Sequence, residues 1–385
     1  MTKEMHIVIA GGGPAGLFVA GRLLQLGFSC TVLEKKKVPD PHSRSLGIHP
    51  VSLELFYSAG IADPFLEQGI KIRKGIAFWN RDKIGEISFQ QCPGKFNYVL
   101  SLPQWETEKI LEEWVHSLNP ETIIRGAEVT KLDQDPASVC LYYLHNNREK
   151  KIKADFVVGC DGKNSTVRRL LNIPFMGNPY PDTYVMGDFS DSTPFGNDAA
   201  VYLNRDGLIE SFPLPGRMRR WVAKTDSFVA APESEYLHHV IEERTGHSLT
   251  SSTNTMMSSF GVQHFLADSY YSGRVLLAGD SAHVVSPIGG QGMNLGWLDA
   301  EACVHTISKA AQQIPDIPRL FMEYSNHQKK IARQVARRAE INMWLGRKEN
   351  SGPMIQLSAR LITKKPISNL LARVFTMRGL GSWWF

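Results

Sequence analysis

Short apolar runs, each closed by glycine or by a polar cluster, recur along the chain and predict alternating strands and helices. Residues 5–10 are almost continuously apolar, the pattern of a parallel strand covered on both faces. Leu17, Ala20, Leu24 and Gly27 then give a helix with one apolar stripe and a glycine stop, and 29–33 reads as a second strand ending at Glu34. A helix is predicted over 50–60, with Leu53, Leu55 and Phe56 inward, and an amphipathic one over 105–118. The alternation within 72–89, with turn residues at 80–83, predicts antiparallel strands of a second layer. Strands are also expected at 123–132, 139–143, 154–159 and 274–278. The proline- and glycine-rich stretch 174–194 reads as a crossover into another domain. Beyond it, 199–212, 219–224 and 254–262 alternate like strands of a second sheet, interrupted by a helix at 233–245. Residues 315–346 read as helix with one basic face, and 358–385 as amphipathic helix ending in Trp383-Trp384-Phe385, able to cap a core, form a dimer contact or touch a membrane surface.

The first strand runs straight into Gly11-Gly12-Gly13-Pro14-Ala15-Gly16, a G-x-G-x-x-G between a strand and a helix. Gly11 permits the tight turn, Gly13 lets backbone approach a pyrophosphate, and Gly16 lets the helix lie on the strand, while the helix N-terminus offers N–H groups to phosphates. Pro14 suits the first helical turn. Glu34 follows at about the 20-residue spacing of the carboxylate that takes ribose hydroxyls and repels a 2′-phosphate, so the site favours the adenosine of FAD or NAD over that of NADP. Arg44, in the polar loop after the second strand, is either a solvated arginine or a pyrophosphate clamp. Gln104 lies at a helix start, where its amide can reach a ligand. Asp161 and Gly162 end a buried strand before Ser165 and Arg168, which makes either a capped turn or an acidic and basic face toward a ligand. Gly279-Asp280-Ser281-Ala282-His283 and then Pro287-Ile288-Gly289-Gly290-Gln291-Gly292-Met293-Asn294 precede another apolar helix, keeping N–H groups free for an anionic or electron-accepting ligand.

Composition narrows this further. At 385 residues and 43% apolar content the chain can bury the core of two intimately built domains. No apolar run reaches the ~18–20 residues of a membrane-spanning helix, and no signal peptide is read, so a cytoplasmic location is expected. Five scattered cysteines without C-x-x-C spacing argue against a disulfide framework or zinc cluster. The net charge of +5 is carried by separated lysine runs without interleaved aromatics, which excludes a nucleic-acid partner.

Together, GGGPAG with Glu34, CDGKNSTVR and GDSAH…PIGGQGMN resemble the class A single-component flavin monooxygenases, the group of para-hydroxybenzoate hydroxylase, phenol hydroxylase and the ubiquinone and polyketide hydroxylases. The resemblance covers nearly the whole chain. It implies an α/β fold: a Rossmann-like FAD-binding domain (GR2-type) at 1–178 and 268–345, with 72–98 adding strands to the substrate layer, an interleaved β-sheet substrate domain at 179–267, and a C-terminal helical region at 346–385. It implies FAD contacts at Gly11, Gly13, Pro14, Ala15, Gly16, Glu34, Lys35, Arg44 of an R-x-x-G pattern, Gln104, Val129, Asp161 and Asp280, the last on the ribitol. Pro287, Gly290, Gln291, Gly292, Met293 and Asn294 would surround the pyrimidine edge of the flavin. Asp161 is linked to NADPH as well.

By the same resemblance, NADPH or NADH reduces FAD, which reacts with O2 to a C4a-hydroperoxide that hydroxylates an aromatic or other hydrophobic small molecule. The basic pair Arg168 and Arg169 points toward NADPH. Flavin halogenases are disfavoured by the lack of a W-x-W-x-I-P segment, and no thioredoxin-like extension is recognised. A flavin-dependent reductase of prenyl or lipid double bonds and a non-catalytic flavoprotein are the competing readings. The general base is unassigned: His49 and Pro287 lie nearest the expected chemistry, and His49 and His283 both also read as ordinary core or loop histidines. Tyr184, Tyr202, Phe212 and Trp221 are candidates for an apolar pocket or for plain core. The protein is expected to be a monomer or homodimer.

Overall fold

A computed structural model of the protein describes residues 5–39, 45–249, 252–312, 316–345 and 367–380. At its centre is a six-stranded sheet in the order Tyr271–Ser272, Val275–Leu277, Phe156–Gly159, His6–Ala10, Ser29–Glu34, Ile123–Arg125, parallel except at the first strand. Ile7, Val8 and Ile9 have no exposed surface, as continuous apolar character predicts for a strand covered on both faces. Helix Pro14–Gln25 crosses over from the first strand and packs between helices Gln104–Leu118 and Gln291–Ala311. Its approach to the former is close: a Cβ on Gly21 would stand 2.2 Å from the ring of Trp114.

The second layer is an eight-stranded sheet in the order His283–Val284, Asn254–Ala267, Phe175–Ser190, Met218–Thr225, Ile209–Leu214, Ala199–Leu203, Lys74–Trp79, Asp82–Ser88. The hairpin Lys74–Trp79 and Asp82–Ser88 matches the strands expected at 72–89, turning at Asn80 with φ of 51°. One expectation fails. Residues 174–194 hold no simple crossover: Phe175–Ser190 is a 16-residue strand paired on both sides. Its prolines are tolerated because the register shifts between Pro179 and Thr183, so their missing N–H groups break no continuous ladder. Its Gly177 is required by close approach, since a Cβ there would meet the His264 carbonyl oxygen at 1.9 Å. The lysine-bearing run Arg148–Ala154, with no apolar alternation to announce it, is a strand of a small outer sheet with Val139–His145 and Ala127–Gln134.

Ile317–Leu345 forms one long helix, and the C-terminal region contributes helix Ile367–Phe375, packed on strand Asp82–Ser88; residues 381–385, with the aromatic terminus, lie outside the described residues. After this helix, Arg378 donates to both carboxylate oxygens of Glu54, at 2.9 and 2.6 Å, with both side chains about 15% exposed. The bond ties the C-terminal segment to helix Pro50–Ser58 of the parallel-sheet layer. Replacing Arg378 with Met keeps the bulk and removes two charge-assisted bonds, so urea unfolding should show a loss of roughly 1–3 kcal/mol. Proteolysis should then cut first at the C-terminal segment; an unchanged unfolding midpoint would contradict the assignment.

Candidate active site

The carboxyl ends of the parallel strands are where an open α/β sheet places ligands, and the glycine turn lies there. Gly11 has φ of +103°, and its N–H donates to Leu33 O at 2.8 Å. A Cβ at Gly11 would meet Cys160 O at 2.4 Å, and one at Gly16 would meet Gly11 O at 2.0 Å. These two glycines therefore build the turn. Gly13 differs: no described atom lies within 4 Å of its Cβ position, which faces open cavity. Pro14 occupies the first turn of its helix, which has no side-chain cap. Glu34 accepts from Gly12 N at 2.6 Å and from Lys36 N at 2.7 Å, fixing its carboxylate beside the turn.

The second glycine-rich segment folds against the first. Gly279, with φ of +64°, donates to Asp299 Oδ2 at 3.0 Å, and the same oxygen bonds His283 Nε2 in a fully buried pair. Burial alone would lower the His283 imidazole, but the Asp299 charge, its hydrogen bond and Asp280 outweigh it and hold the group above its ordinary value. His283 is thus an internal brace of the loop. Asp280 projects into the cavity, where the surrounding walls raise its carboxyl above the usual range and His283 partly offsets them. Gly289 and Gly290 have φ of +86° and +65°, and Gly290 N donates to Pro287 O at 2.8 Å, delivering helix Gln291–Ala311 with an N-terminus that carries no side-chain cap. Asn294 holds this loop to another: Oδ1 accepts from His49 N, and Nδ2 donates to Gly47 O and Gly290 O, all at 2.8 Å. Trp297 Nε1 donates to Pro14 O at 3.1 Å and joins the two glycine turns.

The other expected residues divide. His49 is buried against Gly289 O at 3.1 Å, and burial, opposed by backbone hydrogen bonds, lowers its imidazole to about 4, so it is neutral at ordinary pH. Gln104 lines the cavity and donates to Glu108 Oε1 at 2.7 Å. Gly290, Gly292, Met293 and Pro287 line it as well, whereas Gln291 and Asn294 are buried behind them. The Asp161 carboxylate caps a helix, accepting from Thr166 N at 2.7 Å and Val167 N at 3.0 Å, while its neighbours Cys160, Gly162 and Lys163 face the cavity. Arg168 is buried, donating to Ser281 O and Lys163 O at 2.8 Å each, so it is a strut between the two loops and not a free cation for a nucleotide phosphate. Val129 is buried in an outer strand; Lys36, and not Lys35, reaches the cavity. Arg44 lies outside the described residues.

The cavity has a volume of about 1490 Å³ and runs from Gly13 and Asp280 to the face of the eight-stranded sheet. That exceeds the ~300–1,000 Å³ typical of one small-molecule site and leaves room for a dinucleotide and a second molecule. Of the four aromatics proposed for a pocket, Phe212 lines it. Tyr202 and Trp221 point from the opposite sheet face into the core under helix Ser234–Thr245, and Tyr184 stacks behind Phe260 at 5.3 Å. Sequence reasoning missed Met186, Glu210, Val222, Met256 and Phe260, whose only signal was period-two alternation without an indication of which face is covered. The set fits an anionic dinucleotide: two uncapped helix N-termini face one cavity, and the open Cβ position of Gly13 leaves a cradle that any side chain would fill.

The family model described as FAD binding domain matches residues 4–339. The chain is 34% identical over 307 residues to an uncharacterized aromatic compound monooxygenase of Bacillus subtilis, covering 78% of this chain and 60% of that protein. It is 32% identical over 301 residues to a rifampicin monooxygenase of Streptomyces venezuelae, covering 76% and 62%. The chain thus spans about three-fifths of the length of these curated relatives. Among solved structures, p-nitrophenol 4-monooxygenase from Pseudomonas putida DLL-E4 superposes with a TM-score of 0.87 at 21% identity over 96% of both chains, a likeness of fold. An anhydrotetracycline hydroxylase from Streptomyces rimosus gives 0.81 at 28% identity over 98% of this chain and 77% of that one.

Two glycines of one motif should separate experimentally. Gly16→Ala forces a Cβ onto a carbonyl oxygen and should cost at least roughly 1–3 kcal/mol in ligand-free protein. Gly13→Ala, at a φ of −82° with open space beyond it, should change stability by no more than about 0.5 kcal/mol. Thermal unfolding of both variants checks this, and equal losses would refute the division of roles.

Proposed function

Because the chain belongs to the FAD-binding-domain family, we propose that it is a flavin-dependent monooxygenase that uses NAD(P)H and O2 to hydroxylate an aromatic or polyketide-like small molecule. The observation that carries this reading is the undivided cavity, which joins two uncapped helix N-termini and Gly13 at one end to an apolar sheet face at the other. When bound, FAD supplies the redox chemistry, accepting electrons from NAD(P)H and activating O2 for transfer of one oxygen atom. The relatives named above act, by their names, on aromatic compounds and on rifampicin.

The chain's own residues then have distinct tasks. Gly13 and the first turn of helix Pro14–Gln25 hold the pyrophosphate, with Arg44 as a further clamp, and Glu34 holds the adenosine ribose. Asp280 accepts from ribitol hydroxyls, and Gln104 reaches the cofactor from its helix start. The uncapped N–H groups at the start of helix Gln291–Ala311 would stabilise negative charge on the ring when it is bound. Asp161 and Arg168 act at one remove, fixing the walls on which these groups stand. Met186, Val222, Phe260 and the C-terminal residues Leu371, Val374 and Phe375 exclude water from the reacting end. Five unpaired cysteines and the use of NAD(P)H support a cytoplasmic setting, with the protein a monomer or homodimer.

Purified protein supplied with riboflavin during expression should be yellow and should oxidise NAD(P)H faster with an aromatic substrate present. Product formed under heavy-isotope oxygen gas should carry one labelled atom. Asp280→Ala should weaken FAD binding by about 10- to 100-fold, the loss of a charge-assisted hydrogen bond. A colourless protein with no FAD affinity, or unlabelled product, would eliminate this reading.

A further inference from the structure

Across the eight-stranded sheet, cross-strand register aligns Ala77, Val201, Glu210, Val222, Met186 and Ser258 in one row, each on a different strand, and all six line the cavity. Directly opposed residues share a face, so this row is the cavity floor. One member ionises. Glu210 stands between Val201 and Val222 and is 9% exposed. Arg220 lies one row away on the same face and is already held by Asp188 at 2.6 and 2.8 Å. Burial pushes the Glu210 carboxyl up to about 7, with no opposing contribution from a donor or cation among the described residues. A buried carboxylate without a partner destabilises a fold, and valine or leucine would complete this apolar face.

We propose that Glu210 is the polar anchor of the substrate end of the cavity, accepting a hydrogen bond from a hydroxyl group of a phenolic substrate and so selecting and orienting hydroxylated aromatic rings. This rests on the monooxygenase reading for the identity of the reaction, but the contact itself is a matter of binding. A site built to bond a hydroxyl discriminates against an analogue that lacks the proton, because its own polar group is then buried unpaired. Glu210 is a specificity residue on this view. Its carboxylate can also hold the hydroxyl proton as the ring becomes electron-poor, the proton moving from the hydroxyl oxygen to a carboxylate oxygen.

The charged groups that face this floor are the Arg220–Asp188 pair on its own sheet, Arg338 from helix Ile317–Leu345, and Lys163 and Asp280 from the opposite wall. Arginine and lysine do not titrate near neutrality. Of the three carboxyls, Asp188 is paired with Arg220 and Asp280 faces the charges of His283 and Lys163, whereas Glu210 stands between Val201 and Val222.

The probes are 2-naphthol and its methyl ether, titrated calorimetrically into FAD-loaded protein at about pH 8, where a phenol keeps its proton. Wild type should prefer the naphthol by about 10- to 100-fold, and the preference should grow as pH rises through about 7 and the carboxyl ionises. Glu210→Leu should bind both probes alike and unfold at a higher temperature than wild type. Glu210→Gln should show a reduced preference that no longer varies with pH. Equal binding of the two probes by wild type, no binding of the naphthol, a preference that survives in Glu210→Leu, or a lower unfolding temperature for that variant would each overturn the proposal. FAD content and NAD(P)H oxidation, measured on the same samples, report separately on the monooxygenase reading.

Discussion

Four stretches of backbone meet at the carboxyl end of the parallel sheet, and at Gly11 and Gly16 they leave less room than one methyl group occupies. A Cβ on Gly11 would overlap Cys160 O, one on Gly16 would overlap Gly11 O, and one on Gly279 would stand 3.2 Å from the Ala15 side chain. Gly296, in the helix that follows, lies with its Cβ position 3.5 Å from the Gly279 backbone. This contact brings together segments that are far apart in the chain: the first turn, the Cys160–Lys163 wall and the Asp280 loop. Once they touch, two helix N-termini open onto the same space and give that end of the cavity positive character.

The second consequence is electrostatic. Carbonyl and N–H groups left over by such tight turns need partners, and buried side chains supply them. Arg168 takes the carbonyls of Ser281 and Lys163, Asp161 takes two N–H groups of a short helix, and Asp299 takes Gly279 N while bonding His283. Several residues with catalytic-looking chemistry are thereby occupied in holding the frame. The groups left facing the cavity are few, and each acts where the wall is otherwise backbone or hydrocarbon, so a single carboxyl such as Asp280 or Glu210 has a large effect on what binds.

This distribution explains what could be read in the sequence. The glycine turn, Glu34 and the Asp280 loop were legible because their chemistry is local: spacing fixes the turn, and glycine marks each close approach. The secondary structure was legible where apolar period and element agreed, as in the strand His6–Ala10 and the helix Gln104–Leu118. It was not legible at Phe175–Ser190, where prolines signalled a break and a local register shift accommodates them instead. Asp161 and Arg168 were ambiguous for a physical reason, since a helix cap and a ligand contact demand the same side chains. Glu210 was invisible because alternation shows that a strand has two faces but not which one borders a cavity; that depends on Val201 and Val222, supplied by strands on either side of it.

The substrate end is also the less constrained end. The cofactor end is made of backbone held by glycines, whose replacement is sterically forbidden at Gly11 and Gly16, so its shape has little freedom to change. The sheet face is made of side chains on a regular ladder, where exchanging Met186, Val222 or Phe212 alters the cavity without altering the strands beneath. The remaining wall, Leu371, Val374 and Phe375, comes from a C-terminal helix tethered by the Arg378–Glu54 pair. A cavity with one rigid end and two replaceable walls can change its lining while the glycine-built end keeps its shape. On the sheet floor that wall departs from hydrocarbon at Glu210, at Ser258 in the same row and at the paired Arg220, and of these Glu210 is the group proposed to select among ligands.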